Sequence, residues 1–571
     1  MHFNFKHLSM VASTLIFIGC GGGGDGISGS NTDNIHNNGS AHEESNTDSK
    51  GKNITIGDAY HAESLGIHKK IQASISLGNS PKDLYILLTN HSKTQRASSH
   101  ISHSKLVSTA HKKKTESIAF QKRPHILHTP SHIQDFNANI KTFLLSKRTL
   151  AEKRSKVSTK HVEKENKVVG DSHVFYTDEE KGSSTVATLR QINSNIGTSY
   201  GNKTLNIWVS NDSFGSTCTK QKCVTQSMVN ALANTFLQTG ADNDIYDWVT
   251  NVFGEEWTSK ANGHYDELIP SANEINILLT DIDNDNSPSG GSIGYFWSKD
   301  NVKASVISGS NEKIMFYVDS VMFANGNGGW SINHFWPKEI VSTIAHEFQH
   351  MIHFYQKSIL LDASSDVWIN EMLSETTEDL VATKIYHTGP RGVEPTDGSA
   401  GAPGNTRGRY PLFNRTNTLS LTTWNNTLED YSKVNAFGTF LIRNYGGAKV
   451  LHDIVHTKKS HEDAIEAATG KPFATLIKEW GIAVLLSDKE DLQDLPTYNT
   501  GDFTPNGYNH SVYQLGSINF FNYAPQPTIH TGAGTVEAEG NYYYKIGENL
   551  TGTVKIDLSL NGSTEATLIA K

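Results

Sequence analysis

His346-Glu347-Phe348-Gln349-His350 sits inside a run from Lys338 to Lys357 that contains no Pro or Gly and carries Ile340, Ile344, Phe348, Met351 and Ile352 at helical spacing. The run is predicted to be a buried helix, because Thr343, Ile344, Ala345, Phe348, Gln349, Met351 and Ile352 around the two imidazoles are all uncharged. Residues four apart on a helix lie about one turn apart, with Cβ atoms roughly 5–6 Å from each other, so both rings reach one ion at Zn–N distances of about 2.0–2.1 Å. Glu347 then flanks the ion, where a carboxylate takes a proton from an attacking water and returns it to a leaving group. His353, three residues past His350, aims a turn beyond the ion and is expected to pack in the core.

A catalytic zinc with two His ligands needs a third protein ligand and one open position. Trp368-Ile369-Asn370-Glu371-Met372-Leu373-Ser374-Glu375 is a second apolar segment of helical character, and Glu371 lies 21 residues past His350. That distance lets the first helix end near Gln356, a loop reverse through Asp362 to Asp366, and a second helix return with Glu371 as the third ligand. Glu375, one turn on, is expected to accept the free ring N–H of His346 and fix its tautomer.

HEFQH followed by NEMLSE resembles the gluzincin metallopeptidases, in which thermolysin-like chains carry HExxH and then an Asn-Glu-x-x-Ser-Asp segment whose Glu binds zinc and whose final acid braces a ligand His. Here Glu375 replaces that Asp. Ala345 to Lys357 together with Trp368 to Asp379 resembles most the hyicolysin-type secreted or surface bacterial metallopeptidases, a likeness extending from about Asn206 to Gly447. It implies an α+β chain with a two-lobed thermolysin-like catalytic unit, one zinc ion in the cleft, and hydrolysis of peptide bonds in extracellular proteins. Tyr431-Ser432-Lys433 resembles a segment of the aminopeptidase branch in which the Tyr donates to the tetrahedral oxyanion. Tyr431 is thus a catalytic candidate, against the alternative that it is a core aromatic opening an amphipathic helix with Phe437 and Leu441.

That branch also binds the substrate amino terminus through a Gly-x-Met-Glu-Asn segment before HExxH, which this sequence does not contain; Asn311 to Asp319 reads instead as a strand with Ile314, Phe316 and Val318 alternating. A strand just before the zinc helix suits recognition of an extended peptide by strand addition, favouring a zinc endopeptidase over a zinc aminopeptidase. A reading of another class, a surface adhesin or binding lipoprotein with a structural zinc, gives Glu347 no purpose.

Lys6 and His7 precede an apolar run from Leu8 to Ile18, shorter than the about 20 residues of a membrane span and matching a signal-peptide core. Gly19-Cys20 after it resembles a bacterial lipoprotein cleavage site, with lipidation at Cys20, although Phe17 stands where Leu is usual. Export to the bacterial surface or outer membrane follows, or full secretion if the cut is an ordinary one, and the lipid is the only membrane contact expected. The remaining cysteines, Cys218 and Cys223, enclose Thr-Lys-Gln-Lys and are expected to form a disulfide in an exported chain.

At 571 residues and 36% hydrophobic content the chain has material for several cores, and its net charge of -9 is spread out except for a basic, His-rich tract from His91 to Lys167. That tract, with Lys112-Lys113-Lys114, Lys122-Arg123 and Lys147-Arg148, reads as solvated loop, and no nucleic-acid partner is expected. Successive regions are read as a lipoprotein-type signal over 1–20, a Gly/Ser/Asn-rich tether over 21–52, an amino-terminal β domain or removable pro-region over 53–178, a mixed α/β lobe over 179–335, the helical zinc-binding lobe over 336–493 and a carboxy-terminal β module over 494–571. In the first β domain Ile71, Ala73, Ile75 and Leu77 alternate; in the last, Val554, Ile556, Leu558 and Leu560 do. Strands are also predicted at Thr204–Ser210 and Glu274–Thr280, with a helix between them capped by Thr225 and Gly240. Asp281-Ile282-Asp283-Asn284-Asp285 offers oxygen ligands for Ca2+, but Asn286 and Ser292 stand where an EF-hand needs Gly and Glu. A calcium site of another kind and an Asx-rich turn are both open readings. Gly389 to Arg415 breaks the helical region and reads as a surface insertion or as a loop over the cleft.

Overall fold

A computed structural model describes residues 51–104, 126–127, 129–151, 167–179, 181–270, 273–326, 328–393 and 404–571. The signal, Cys20 and nearly all of the tether lie outside them, as does much of the basic tract. The described chain is α+β, as expected.

A six-stranded mixed sheet carries the strands Gly294–Tyr295, Ile314–Asp319, Glu274–Thr280, Gly201–Ser210, Ser184–Thr198 and Ser172–Tyr176, in that spatial order. Glu274–Thr280 runs parallel to both neighbours, while Gly294–Tyr295 closes one edge antiparallel to Ile314–Asp319. Side chains alternate across this sheet as strand geometry dictates. Leu205, Ile207, Val209, Ile275, Ile277, Leu279, Ile314, Phe316 and Val318 face the main core, which they share with helices Gln226–Phe236, Ile245–Phe253 and Phe335–His353. Trp208, Leu278, Met315 and Tyr317 face a smaller aromatic core with Phe175, Tyr295 and Trp297. Gln226–Phe236 begins after Thr225 but ends at Phe236, short of Gly240, with Leu237 as its C-cap. Ile314–Asp319 lies between two strands, so among the described residues the sheet edge next to the HExxH helix belongs to Gly294–Tyr295 rather than to the strand expected from sequence.

The HExxH helix spans Phe335–His353, with Pro337 in its first turn, where a missing N–H costs nothing. It continues as π-helical turns over Phe354–Leu360. Lys357 anchors those turns, its ammonium donating to the carbonyls of Ile454, Thr457 and Lys459 at 3.0, 2.7 and 2.6 Å. The chain reverses before the second helix, Val367–Val381, and beyond it helices Leu428–Asn444, Ala448–His456, His461–Thr469 and Phe473–Leu485 complete the helical part.

The two flanking β domains expected from sequence are one structure. Lys70–Ser76 pairs with Thr553–Leu560, and Lys82–Asn90 lies between Asn541–Leu550 and Thr564–Ala570. The two sheets enclose a shared core that includes Ile71, Ile75, Leu84, Leu88, Val554, Leu558 and Leu568. The outer face of the second sheet, through Tyr85, Leu87, Tyr543 and Ile569, joins the main core instead. Being covered on both sides explains why Lys82–Asn90 is apolar with little alternation. The tract read as solvated loop also holds a helix, Ser131–Ala151, whose Ile133, Ile140 and Leu144 are buried.

Candidate metal centre

The HExxH helix and Val367–Val381 pack against each other and bring His346, His350 and Glu371 together, with one donor atom of each within 4.8 Å of the others. Glu371 Oε2 lies 3.2 Å from His346 Nε2 and 3.5 Å from His350 Nε2. Four ligands about 2.0–2.1 Å from a zinc ion at tetrahedral angles are separated by about 3.3 Å, so these spacings match the edges of a zinc coordination tetrahedron. All three residues are buried, and His350 Nε2 has no hydrogen-bond partner among the described residues. A buried ring nitrogen aimed at a carboxylate oxygen and otherwise unsatisfied is what a metal-binding tautomer needs. The donor set therefore fits zinc.

The neighbours of each ring fix that tautomer. Glu378 Oε1 lies 2.9 Å from His346 Nδ1, leaving Nε2 as the lone pair, and Ser342 Oγ donates to the other Glu378 oxygen at 2.6 Å. Glu375, expected in this role, lies close by, with an oxygen within 4.8 Å of a His346 ring nitrogen, and is paired with Arg409, Nη2 to Oε1 at 2.7 Å and Nε to Oε2 at 3.2 Å. The reason is register: the two helices run antiparallel, so the turn of HExxH that starts at Ser342 and His346 meets residue 378, seven past Glu371, on the same face. At His350, Nδ1 lies 3.1 Å from Ser374 Oγ, whose own proton goes to Gln349 Oε1; the ring must then donate from Nδ1 and present Nε2 inward. His353 is buried beyond the centre, 3.0 Å from Ser365 Oγ, and burial pushes its pKa down to about 3. It stays neutral there.

Glu347 is wholly buried. Its Oε2 accepts from the backbone N–H of Phe296 at 2.8 Å, just past the Gly294–Tyr295 edge, while Oε1 has no partner among the described residues. Burial raises its pKa, opposed by the neighbouring His346 and His350 rings. At Glu375 too burial dominates over Arg409 and raises the pKa to about 7. Glu378 is held below the usual carboxylate range: burial pushes it up, but the bonds from His346 and Ser342 outweigh that.

Tyr431 is buried near the start of Leu428–Asn444, with its hydroxyl 3.1 Å from Asn426 Oδ1 as donor and 2.9 Å from Gln134 Nε2 as acceptor. The same Gln134 nitrogen donates to Glu371 Oε1 at 2.6 Å, so the phenol stands one residue from the metal donors. Neither the helix carrying Gln134 nor Arg409 itself is expected from sequence, although Arg409 lies in the stretch for which a loop over the cleft is one of the two readings. Their signals were slight: the spacing of Ile133, Phe136, Ile140 and Leu144 for the first, and none for the second.

Cys218 and Cys223 are joined in a disulfide. The calcium reading of the acidic loop is not supported, because Lys220 fills it: its ammonium lies 2.7 Å from Asp281 Oδ2 and 3.0 Å from Asp212 Oδ2. A fixed cation already balances those carboxylates. Among the described residues, both groups of three donors close enough to share an ion include His346.

The profile of the peptidase M30 family matches residues 182–484, more than half of the 571-residue chain. Among curated proteins, the neutral metalloprotease ShpI of Staphylococcus hyicus is 26% identical over 248 residues, which cover 40% of this chain and 50% of that protein. The chain thus matches about half the length of that relative.

Proposed function

Since this chain belongs to the peptidase M30 family, we propose that it is a zinc-dependent endopeptidase cleaving extracellular proteins. The observation that carries this reading is the set of donor spacings at His346, His350 and Glu371, with the free oxygen of Glu347 beside them. One zinc ion held by those three residues supplies Lewis acidity, lowering the pKa of a water and polarising a scissile carbonyl.

The protein groups supply the rest. Phe296 N–H holds Glu347 by Oε2, so Oε1 is the oxygen that takes the proton of the attacking water and delivers it to the leaving amine. Glu378 and Ser374 keep both imidazoles with their lone pairs inward. The Tyr431 hydroxyl is the candidate donor to the developing oxyanion, a contribution typically worth about 2.7–4 kcal/mol. Glu375, with Arg409, stabilises the turn behind His346. The sheet edge at Gly294–Tyr295, next to the residue that holds Glu347, supports binding of an extended chain passing through the site, which favours endopeptidase over aminopeptidase action. The Cys218–Cys223 bridge supports an oxidising compartment, in keeping with export and an anchor at Cys20.

Zinc content and casein cleavage, before and after a chelator, test this reading on the wild type and Glu347→Gln. The variant is expected to hold one zinc per chain and cleave roughly 10²–10⁴-fold more slowly. Equal cleavage by the two proteins, or the absence of zinc from both, would refute it.

A further inference from the structure

We propose that the helix Ser131–Ala151 is an intramolecular plug of the metal cleft, with the Gln134 carboxamide seated where a substrate peptide amide goes. The proposal rests on the peptidase reading above and assigns a regulation to it.

Gln134 is buried, 6% exposed, and every polar atom of its amide is engaged at the centre. Nε2 donates to Glu371 Oε1 at 2.6 Å and to the Tyr431 hydroxyl at 2.9 Å, while Oε1 accepts from Trp424 Nε1 at 3.2 Å. A side-chain carboxamide has the planar donor and acceptor pair of a peptide group. It therefore occupies the space in front of Glu371 and the Tyr431 hydroxyl and keeps a peptide group from reaching them.

Asn137 reads the backbone beside the Gly294–Tyr295 edge in the same manner. Its Nδ2 donates to the Phe296 carbonyl at 2.8 Å, and its Oδ1 accepts from Ser298 N and Ser298 Oγ at 2.8 and 2.7 Å. Just ahead of the helix, Ile126–Leu127 pairs in parallel with Gly291–Ser292. Side chain and strand together thus hold backbone groups on either side of the Gly294–Tyr295 edge, across the approach of an extended peptide. A narrow cavity remains between Gln134, Asn137 and Lys141 on one side and His350, Asn370 and Glu371 on the other.

The helix is fixed by one apolar face: Ile133 joins the aromatic cluster of Trp297, Ile140 and Leu144 join the main core, and Phe136 and Phe143 pack against these partly buried. Its other face makes exchangeable polar contacts, such as Lys141 with Asp362 at 2.6 Å and Asn426 Nδ2 to Ser131 Oγ at 2.8 Å. The helix also precedes the span matched by the family profile, 182–484, whose strands and helices form the centre without it. An element that covers the donors without supplying one regulates access to them.

The test uses the full zinc-loaded chain, as wild type and as Gln134→Ala/Asn137→Ala, with a small hydroxamate as probe of the metal. The double variant is expected to bind the hydroxamate at least tenfold more tightly by calorimetry. Amides of residues 131–146 should exchange at least tenfold faster than in wild type, with those of Val367–Val381 unchanged, and hydrolysis of a short fluorogenic peptide should rise. A synthetic peptide spanning residues 129–146 should inhibit the variant, and its Gln134→Ala form should not. Unchanged hydroxamate affinity with unchanged exchange would overturn the plug. So would a folded, zinc-loaded variant whose peptide hydrolysis falls, since Gln134 would then belong to the working site. If neither protein holds zinc, the peptidase reading fails instead, and the exchange comparison still decides whether the helix opens by itself.

Discussion

The helix pair that carries the candidate metal donors and the β sandwich are both built from buried apolar residues, yet they join parts of the chain at very different distances. His346 meets Glu371 across 25 residues, whereas Ser64 bonds Glu565 across 501. The first contact follows from one helix, one reversal and a returning helix. The second needs two regions, each with an unremarkable alternating pattern, to find one another after the intervening protein has formed. Chemistry is thus concentrated in the local half of the comparison, and closure of the fold in the distant half.

The sharpest way to break that division is to damage the sandwich and watch the metal centre. Leu568→Ala, which opens a cavity between Leu88-side and Val554-side packing in the sandwich core, should cost about 2–5 kcal/mol in urea unfolding while leaving zinc affinity within twofold. A proportionate loss of zinc binding would mean that the two regions are energetically one. Within the centre, Glu378→Gln should weaken zinc binding roughly 10–100-fold in competition with a chromophoric chelator. Glu375→Gln should mainly lower the unfolding midpoint, because it leaves the Arg409 guanidinium buried with a weaker partner. Equal zinc losses from the two variants would contradict the separation of roles between them.

The smallest effect lies outside both regions, at Asp319, whose carboxylate accepts from Met322 N and Ile282 N where a strand of the six-stranded sheet ends. Burial pushes its pKa up to about 7 against those bonds. A carboxyl raised on folding stabilises the native state most fully below its unfolded value near about 4, and that contribution is lost as pH rises through about 7. Stability of the wild type relative to Asp319→Asn should therefore decline between pH 4 and pH 8, as read from urea midpoints at both ends. Parallel curves would show that the residue does not titrate in this range.

Legibility in the sequence followed the same division. A period of 3.6 without Pro or Gly marked Phe335–His353, and a second apolar run placed Glu371 opposite it, since a helix fixes which residues share a face. What failed there was fine register: spacing alone favoured Glu375, one turn from Glu371, and only the antiparallel packing brings Glu378 to His346. Strands over 70–76 and 553–560 were visible as alternation, but alternation says which face is inward and nothing about which strand lies alongside. Gln134 was hidden because Lys and His in its surroundings outweighed the four apolar residues that place its helix. Lys220 was hidden for a related reason, as a charged side chain in a loop carries no trace of the carboxylates it will neutralise.

The interleaved sandwich also sets an order of events during synthesis. Lys82–Asn90 is made early, but its partners Asn541–Leu550 and Thr564–Ala570 follow more than 450 residues later. At about 5–20 residues per second, the early strand waits for tens of seconds with both edges bare. Such a strand is open to pairing with other chains for that interval, so a partner that shields residues 82–90 on the nascent protein would serve its yield more than its final stability.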